Sequence, residues 1–221
     1  MQSVAAEGKP VKGPIRWIVS DVMGVIFDVG DDTNDLLVPY IRERRPAVSS
    51  ERINALYLRA SLGEISSERF WEEVGLGDGY PDVERDYLDT RLSVDPEAAP
   101  VFRELGRRFS LGILSNDVKE WSAYLRRKHG LDDLLKVAVI SGEVGLRKPD
   151  RRIFEILLER TGASPSECAI VDDLTRNLQA AAQLGMKTVH FLRGGEGGAF
   201  AADWQVRSLR ELASLADRLF A

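Results

Sequence analysis

The sequence predicts an α/β protein with a doubly wound, mostly parallel sheet, and three observations support this fold class. In the second half of the chain, apolar runs of strand length alternate with segments of helical pattern, as in parallel sheets covered by helices on both faces. Glycines stand where the predicted helices should end, at Gly130, Gly162 and Gly185. Residues 34–93 interrupt the alternation with helical patterns alone, which predicts a group of helices inserted after the first strand.

The first strand and the inserted helices come first in chain order. Residues 15–20 are mainly apolar and predict the first strand. Asn34 and Asp35 can cap a helix that reaches about Arg45, because Pro46 stops it there. Three more short helices are predicted, beginning near Ser50, Ser66 and Val83.

The remaining elements alternate between helix and strand. Helices are predicted over 97–108, 117–129, 150–161 and 174–184, each followed by a strand, over 110–114, 137–140, 168–171 and 187–191. Asn116 or Asp117 is expected to cap the second of these helices, and Pro149 to occupy the first turn of the third. A final amphipathic helix is expected over 206–220. A flexible loop at Gly194 to Gly198 and a loose tail over 1–13 complete the predicted elements.

Composition and charge favour a soluble, cytoplasmic enzyme. The chain has 221 residues, 44% of them hydrophobic, and a formal net charge of −5, which does not suggest a nucleic-acid partner. It contains no run of about 18 apolar residues, so no membrane span is expected. Residues 1–13 lack the apolar stretch of a signal peptide. The single cysteine, Cys168, lies in an apolar strand and is expected to be a small core residue.

Polar side chains lie at or near the ends of predicted strands, where open α/β sheets build their active sites. They are Asp21, Ser115 with Asn116, Lys148, and Asp172 with Asp173, followed by Asn177. Each has a local explanation, because Ser, Asn and Asp cap helices and acids favour a helix N-terminus. The local and functional explanations are compatible, since a capped strand-to-helix turn is also a place where anions bind.

In this order, an acid, a hydroxyl, a lysine and an acid pair resemble the four motifs of the haloacid dehalogenase (HAD) superfamily of hydrolases. The resemblance extends over almost the whole chain, from Trp17 to Leu192. It implies a Rossmann-like core domain formed by residues 14–30 and 95–221, with a small helical cap over 31–94.

The residues at these positions predict hydrolysis through a covalent intermediate. The Asp21 carboxylate can attack a phosphorus or a carbon that bears a leaving group. Mg²⁺ neutralises phosphoryl groups and prefers hard oxygen ligands, which Asp21 and Asp173 can supply. The resemblance adds the backbone carbonyl of Met23 as a metal ligand, and we expect Asp172 to hold a bound water or to support the site.

The other motif residues are expected to bind the phosphoryl group of the substrate. Lys148 would hold the charge of that group and of the nucleophile, while Ser115 and Asn116, including its backbone, would bind phosphoryl oxygens. Asn177 resembles a residue that orients the loop carrying the acid pair.

Met23 departs from the pattern of most phosphatases in this superfamily. They usually carry a second aspartate two residues after the nucleophile, and this acid transfers protons, an effect typically worth about 10²- to 10⁴-fold in rate. A branch with small or apolar residues there is a closer resemblance, particularly over 62–71 and 145–154. It includes enzymes similar to alpha-D-glucose-1-phosphate phosphatase and relatives of the phosphatase domain of soluble epoxide hydrolase.

The resulting prediction is a Mg²⁺-dependent phosphatase of a small phosphorylated metabolite, acting through an aspartyl-phosphate on Asp21. One alternative is a metal-independent hydrolase of carbon–halogen bonds, similar to 2-haloacid dehalogenases. Another is a phosphotransferase or mutase, and a third is a catalytically impaired protein that binds a phosphorylated ligand. No residue pattern points to a particular metabolite or oligomeric state.

Overall fold

The computed structural model describes residues 14–193 and 200–219, and these residues form one six-stranded sheet with helices on both faces. The predicted tail over 1–13 and the predicted loop Gly194 to Gly198 lie outside the described residues. The predicted α/β class is confirmed. Every strand pairing in the described part of the chain is parallel, so the sheet is parallel throughout rather than mostly parallel.

The strand order places the first strand in the middle of the sheet. The strands are β1 Trp17–Ser20, β2 Ser110–Ser115, β3 Val137–Ile140, β4 Cys168–Asp172, β5 Lys187–Phe191 and β6 Trp204–Val206. Their spatial order is β3-β2-β1-β4-β5-β6, so the direction of the chain order changes between β1 and β4. Such a switch point opens a crevice at the carboxyl ends of the strands, where open sheets bind ligands.

The helices connect and cover these strands. Their bounds are α1 Val38–Arg44, α2 Ser50–Ser61, α3 Ser67–Glu73, α4 Asp82–Arg91, α5 Ala98–Leu105, α6 Lys119–Lys128, α7 Ser141–Val144, α8 Arg151–Thr161, α9 Thr175–Gln183 and α10 Leu209–Leu219. We call α1 to α4 the inserted helices, because they lie between β1 and β2 in the chain. In residues 14–193 and 200–219, no helix combines the length and apolar character needed to cross a bilayer.

Both faces of the central strand are buried, which explains its continuous apolar sequence. Trp17 and Val19 pack with residues of α8 and α9 in one hydrophobic cluster. Ile18 points to the opposite face and packs in the larger cluster that also contains side chains of the inserted helices. Cys168 is fully buried in the first cluster, in agreement with its predicted role as a core residue.

The first inserted helix begins earlier than the sequence predicts. A π-helical turn over Asp32–Leu37 leads directly into α1, and its cap is Asp31. The Asp31 carboxylate accepts a hydrogen bond from the Asn34 backbone N–H at 3.0 Å. The prediction of a cap at Asn34 or Asp35 is therefore wrong, because the Asp31 carboxylate, which precedes the turn, satisfies the free N–H group of Asn34.

Two other helix starts also differ from the prediction. Val118 is the N-cap of α6, and the Asp117 carboxylate accepts a hydrogen bond only from the neighbouring Val118 N–H, at 2.7 Å. Asp150 caps α8 through the Arg152 N–H, so Pro149 precedes the helix instead of occupying its first turn. The prediction also missed the one-turn helix α7 and the short edge strand β6.

The inserted helices are attached to α6 through a buried aromatic cluster. The rings of Trp71 in α3 and Trp121 in α6 have centroids 6.0 Å apart. The Glu84 Oε2 atom in α4 accepts a hydrogen bond from the Trp121 indole N–H at 2.7 Å and from that of Trp71 at 3.0 Å. Burial raises the pKa of Glu84, and the two indole donors oppose this rise. One carboxylate therefore connects three helices.

Candidate active site at the carboxyl ends of the strands

A buried ion-pair cluster lies at the carboxyl ends of β1 and β4. Asp21 directly follows β1, and Asp172 is the last residue of β4. The Lys148 Nζ atom lies 2.8 Å from Asp21 Oδ2 and 2.7 Å from Asp172 Oδ2, and all three side chains are buried. The register explains this meeting, because Ser20 pairs with Val171 and so places Asp21 beside Asp172.

Asp172 is anchored by donors on both of its carboxylate oxygens. Oδ1 accepts hydrogen bonds from the Leu174 backbone N–H at 2.8 Å and from the Asn177 amide at 3.0 Å. Oδ2 accepts from Lys148 at 2.7 Å and from the Asn177 amide at 3.1 Å. Because the residue is 0% exposed and its oxygens already have partners, its geometry is that of a counter-ion for Lys148.

Asp173 adds a third carboxylate to the cluster. One carboxylate oxygen from each of Asp21, Asp172 and Asp173 lies within 4.8 Å of the other two. Gly24 makes this approach possible, since a Cβ atom at that position would lie 2.4 Å from Asp173 Oδ2. On its other side, the Asp173 carbonyl accepts a hydrogen bond from His190 Nε2 at 3.0 Å. Asp173 therefore lies between the loop that follows β1 and strand β5.

The pKa values reflect a site with more negative than positive charge. Burial raises the pKa of Asp21 well above its usual range, Lys148 opposes the rise, and the other two acids add to it. Burial followed by the charge of Asp172 raises the pKa of Asp173 to about 6. For Lys148, the effect of burial is outweighed by Asp172 and Asp21, so its pKa is raised. Three acids lie together and one lysine pairs with two of them, so this set of oxygen donors fits a divalent cation.

The cluster forms the floor of a cleft of about 450 Å³. Most of the residues that the sequence singled out line this cleft, namely Asp21, Met23, Ser115, Asn116, Lys148, Asp173 and Asn177. Asp172 lies beneath it, behind Lys148. The structure therefore brings the sequence motifs together at one place, although they are spread over more than half of the chain.

Asn116, which follows Ser115 at the end of β2, connects this strand end to Lys148. Its side-chain amide donates to the Lys148 carbonyl at 3.0 Å, and its side-chain oxygen accepts from the Lys148 backbone N–H at 2.7 Å. This pair of hydrogen bonds fixes the backbone of the lysine beside the end of β2. Sequence reasoning assigned Asn116 to substrate oxygens and did not identify this contact with Lys148.

The inserted-helix side of the cleft carries residues that sequence reasoning missed. They include Asp32, Tyr57 and Arg147. The Tyr57 hydroxyl lies 3.5 Å from Asp32 Oδ2 and 3.4 Å from the Asn116 carbonyl oxygen. Arg147 donates to the Ser61 hydroxyl, and its guanidinium carbon lies 5.7 Å from the Tyr57 ring centroid. The only sequence signal for this group is the position of Arg147 next to Lys148.

The comparison with known families agrees with the family that the sequence motifs resemble. The family described as haloacid dehalogenase-like hydrolase matches residues 15–185. The chain belongs to this family. The matched region begins before β1 and ends after α9, so it contains the whole charge cluster and the inserted helices.

Relatives of this HAD-like chain include both phosphatases and dehalogenases. A phosphoserine phosphatase of Thermus thermophilus is 30% identical over 165 residues, covering 70% of this chain and 66% of the relative. An (S)-2-haloacid dehalogenase 4A of Burkholderia cepacia is 30% identical over 125 residues, covering 55% of this chain and 54% of the relative. The chain spans about half to two thirds of the length of the curated relatives that it matches.

Solved structures show the same fold. A HAD phosphatase from Thermococcus onnurineus superimposes with a TM-score of 0.69 at 24% sequence identity, covering 91% of this chain and 97% of that structure. At this level of identity the likeness concerns the fold, and the chemistry has to be argued from the residues in the cleft.

Proposed function

We propose that the protein is a Mg²⁺-dependent phosphatase that acts on a small phosphorylated metabolite through an aspartyl-phosphate on Asp21. The observation that carries this proposal is the excess of carboxylates in the charge cluster: Asp21, Asp172 and Asp173 lie together, and Lys148 forms ion pairs with Asp21 and Asp172. A dianionic phosphate placed against three carboxylates is repelled by them, and a bound divalent cation would offset that repulsion. A halide-releasing enzyme has no comparable need for a third acid.

The proposed metal ligands are Asp21, the backbone carbonyl of Met23 and Asp173, with Asp172 supporting the site through Lys148. When bound, Mg²⁺ would supply positive charge that draws the phosphoryl group toward the nucleophile. Asp21 is the group that attacks phosphorus, because it lies at the strand end and its Oδ2 atom faces Lys148. Lys148 stabilises the charge on the phosphoryl oxygens, and Ser115 binds one of them.

The surrounding residues position these groups. Asn116 holds the backbone of Lys148, and Asn177 holds Asp172, which in turn fixes the ammonium group of Lys148. We further propose that residues 14–30 and 95–221 act as the core domain and residues 31–94 as a cap. Support for this division comes from the position of Asp32 and Tyr57, which bring inserted residues to the same cleft as Asp21.

A metal-independent 2-haloacid dehalogenase is the second candidate, and two observations favour it. Met23 cannot transfer a proton, and a dehalogenase needs no proton donor because halide leaves unprotonated. A 2-haloacid dehalogenase is also among the curated relatives. We nevertheless prefer the branch of phosphatases with an apolar residue at the position of Met23, since the donor set suits a cation.

The proposal is tested by assaying purified protein against phosphorylated metabolites and 2-haloacids, with and without Mg²⁺. We expect phosphate release that chelator abolishes, and calorimetry should detect Mg²⁺ binding. Asp21→Asn should lower turnover by roughly 10³-fold or more while the fold is retained, because the covalent route is lost. Activity within tenfold of wild type, or turnover that chelator leaves unchanged, would contradict the proposal. Halide release without metal would support the dehalogenase.

A second variant tests the importance of Met23. If the missing acid limits hydrolysis, Met23→Asp should raise the rate on an alkyl phosphate more than on p-nitrophenyl phosphate, because only the poor leaving group needs a proton. A loss of native activity with no gain on either ester would show that Met23 belongs to an apolar pocket for another class of substrate.

A further inference from the structure

We propose that Asp32 is the proton-transferring residue of this cleft and compensates for the methionine at position 23. This inference rests on the proposed phosphatase function. Asp32 lines the same cleft as Asp21, Met23 and Lys148, although it belongs to the π-helical turn that begins the inserted helices. In an in-line displacement the leaving group departs on the side away from the nucleophile. An acid on the inserted-helix wall is therefore suited to meet the leaving oxygen.

Tyr57 lies between Asp32 and the strand ends. Its hydroxyl lies between Asp32 Oδ2, at 3.5 Å, and the Asn116 carbonyl oxygen, at 3.4 Å. The Tyr57 ring is itself buried and stacked on Trp121, with centroids 6.0 Å apart and an interplanar angle of 28°. The phenol thus joins the wall of the cleft that carries Asp32 to the loop that holds Lys148.

The charges around Asp32 keep its carboxyl available for proton transfer. Asp31 precedes it, Tyr57 faces it from α2, Arg147 from the segment before α8, and Asp117 from the segment before α6. Burial followed by the charge of Asp31 raises the pKa of Asp32 to about 6, against the opposing effects of Arg147 and Tyr57. A group with this pKa is present in both protonation states near neutral pH, as a general acid and base requires.

With Asp32 as general acid in the first step and general base in the second, every proton that moves in the reaction is accounted for. In the first step an Asp21 oxygen forms a bond to phosphorus and the bond from phosphorus to the ester oxygen breaks. The Asp32 proton passes to that oxygen, so an alcohol leaves and Asp32 becomes a carboxylate. In the second step water attacks phosphorus while Asp32 takes one of its protons. The bond from phosphorus to Asp21 breaks, which releases phosphate and restores both acids.

Asp32→Asn tests the assignment through its dependence on the leaving group. We expect kcat/KM for glycerol phosphate to fall by about 10²-fold or more, and that for p-nitrophenyl phosphate by much less, because nitrophenolate leaves without a proton. Asp35→Asn is the matched control, since Asp35 is exposed on the same turn and does not line the cleft. It should leave both rates close to wild type. Equal losses on the two esters in Asp32→Asn would overturn the assignment.

The pH dependence gives a second measurement that loss of folding cannot imitate. The ratio of the glycerol phosphate rate to the nitrophenyl phosphate rate should decline as pH rises through about 6, because the acid form of Asp32 is lost there. Asp32→Glu should retain this decline, and Asp32→Asn should show a flat ratio. A wild-type ratio that is independent of pH would overturn the inference while phosphatase activity persists. Absence of hydrolysis of both esters would instead overturn the proposed function, and this inference with it.

Discussion

Alanine substitutions at Gly24 and Gly162 can test whether Asp173 is a metal ligand. The Gly162 variant serves as the control for backbone strain. Both glycines have left-handed φ values, +80° and +62°, which L residues rarely adopt. A methyl group at Gly24 would lie 2.4 Å from Asp173 Oδ2, whereas one at Gly162 would have no atom of the described residues within 4 Å. Replacement by alanine therefore imposes the same kind of backbone cost at both sites, but a steric clash only at Gly24.

The size of each effect follows from this geometry. The left-handed conformation costs a non-glycine residue about 1–2 kcal/mol, so both Gly24→Ala and Gly162→Ala should lower the free energy of unfolding by about this amount. Ordinary contact begins at 3.4 Å, so the Asp173 carboxylate must move by about 1 Å to make room for the methyl group. Mg²⁺ requires near-ideal octahedral geometry, and a displacement of this size removes a ligand.

Urea unfolding and calorimetric Mg²⁺ titration of the two variants check this reasoning. We expect a loss of stability at least as large for Gly24→Ala as for Gly162→Ala, and a fall in Mg²⁺ affinity of about tenfold or more for Gly24→Ala alone. The Gly162→Ala variant should bind Mg²⁺ like the wild type. If Gly24→Ala also binds Mg²⁺ with wild-type affinity, the carboxylate of Asp173 does not hold the metal and the proposed ligand set is incorrect.

Two further predictions concern Glu84, which accepts hydrogen bonds from two indoles, and Asn116, whose side-chain amide holds the backbone of Lys148. Glu84→Leu leaves the indole N–H groups of Trp71 and Trp121 unpaired in an apolar cluster, so the free energy of unfolding measured in urea should fall by about 2–6 kcal/mol. Glu84→Gln keeps an acceptor oxygen and should cost far less; equal losses would show that these hydrogen bonds are unimportant. Asn116→Ala removes both side-chain bonds to the Lys148 backbone, and kcat/KM on a phosphate ester should fall by about tenfold or more. Unchanged kinetics would contradict a positioning role for Asn116.

The sequence predicted the centre of the sheet well because strong local signals coincide there. An apolar run that ends in a carboxylate marks both β1 and β4, and parallel pairing then brings Asp21 beside Asp172. The order of the motifs added the family and the position of Lys148. It could not show that Asp172 has partners on both oxygens, because this depends on the turn that places the Leu174 N–H and the Asn177 amide.

The features that the sequence prediction missed leave only weak patterns in the sequence or depend on residues far apart in the chain. Strand β6 has only three residues, and its pairing with β5 depends on tertiary contacts instead of a long apolar pattern. Asp32 and Tyr57 are 25 residues apart, and each meets the cleft only after the inserted helices fold back over the sheet. The cap at Asp31 was missed because Asn34 and Asp35 are also good capping residues, and only the folded chain shows that the Asp31 carboxylate accepts from the Asn34 N–H.

Lys148 keeps a counter-charge throughout the proposed reaction. When Asp21 is esterified by phosphate, its carboxylate no longer offers a full negative charge to the ammonium group. Asp172 takes no part in bond formation and does not line the cleft, but it pairs with Lys148 at 2.7 Å. An isolated buried ammonium would cost several kcal/mol. The acid that does not react therefore gives Lys148 a permanent partner, which holds the ammonium group in place while the phosphoryl group arrives, becomes bound to Asp21 and leaves.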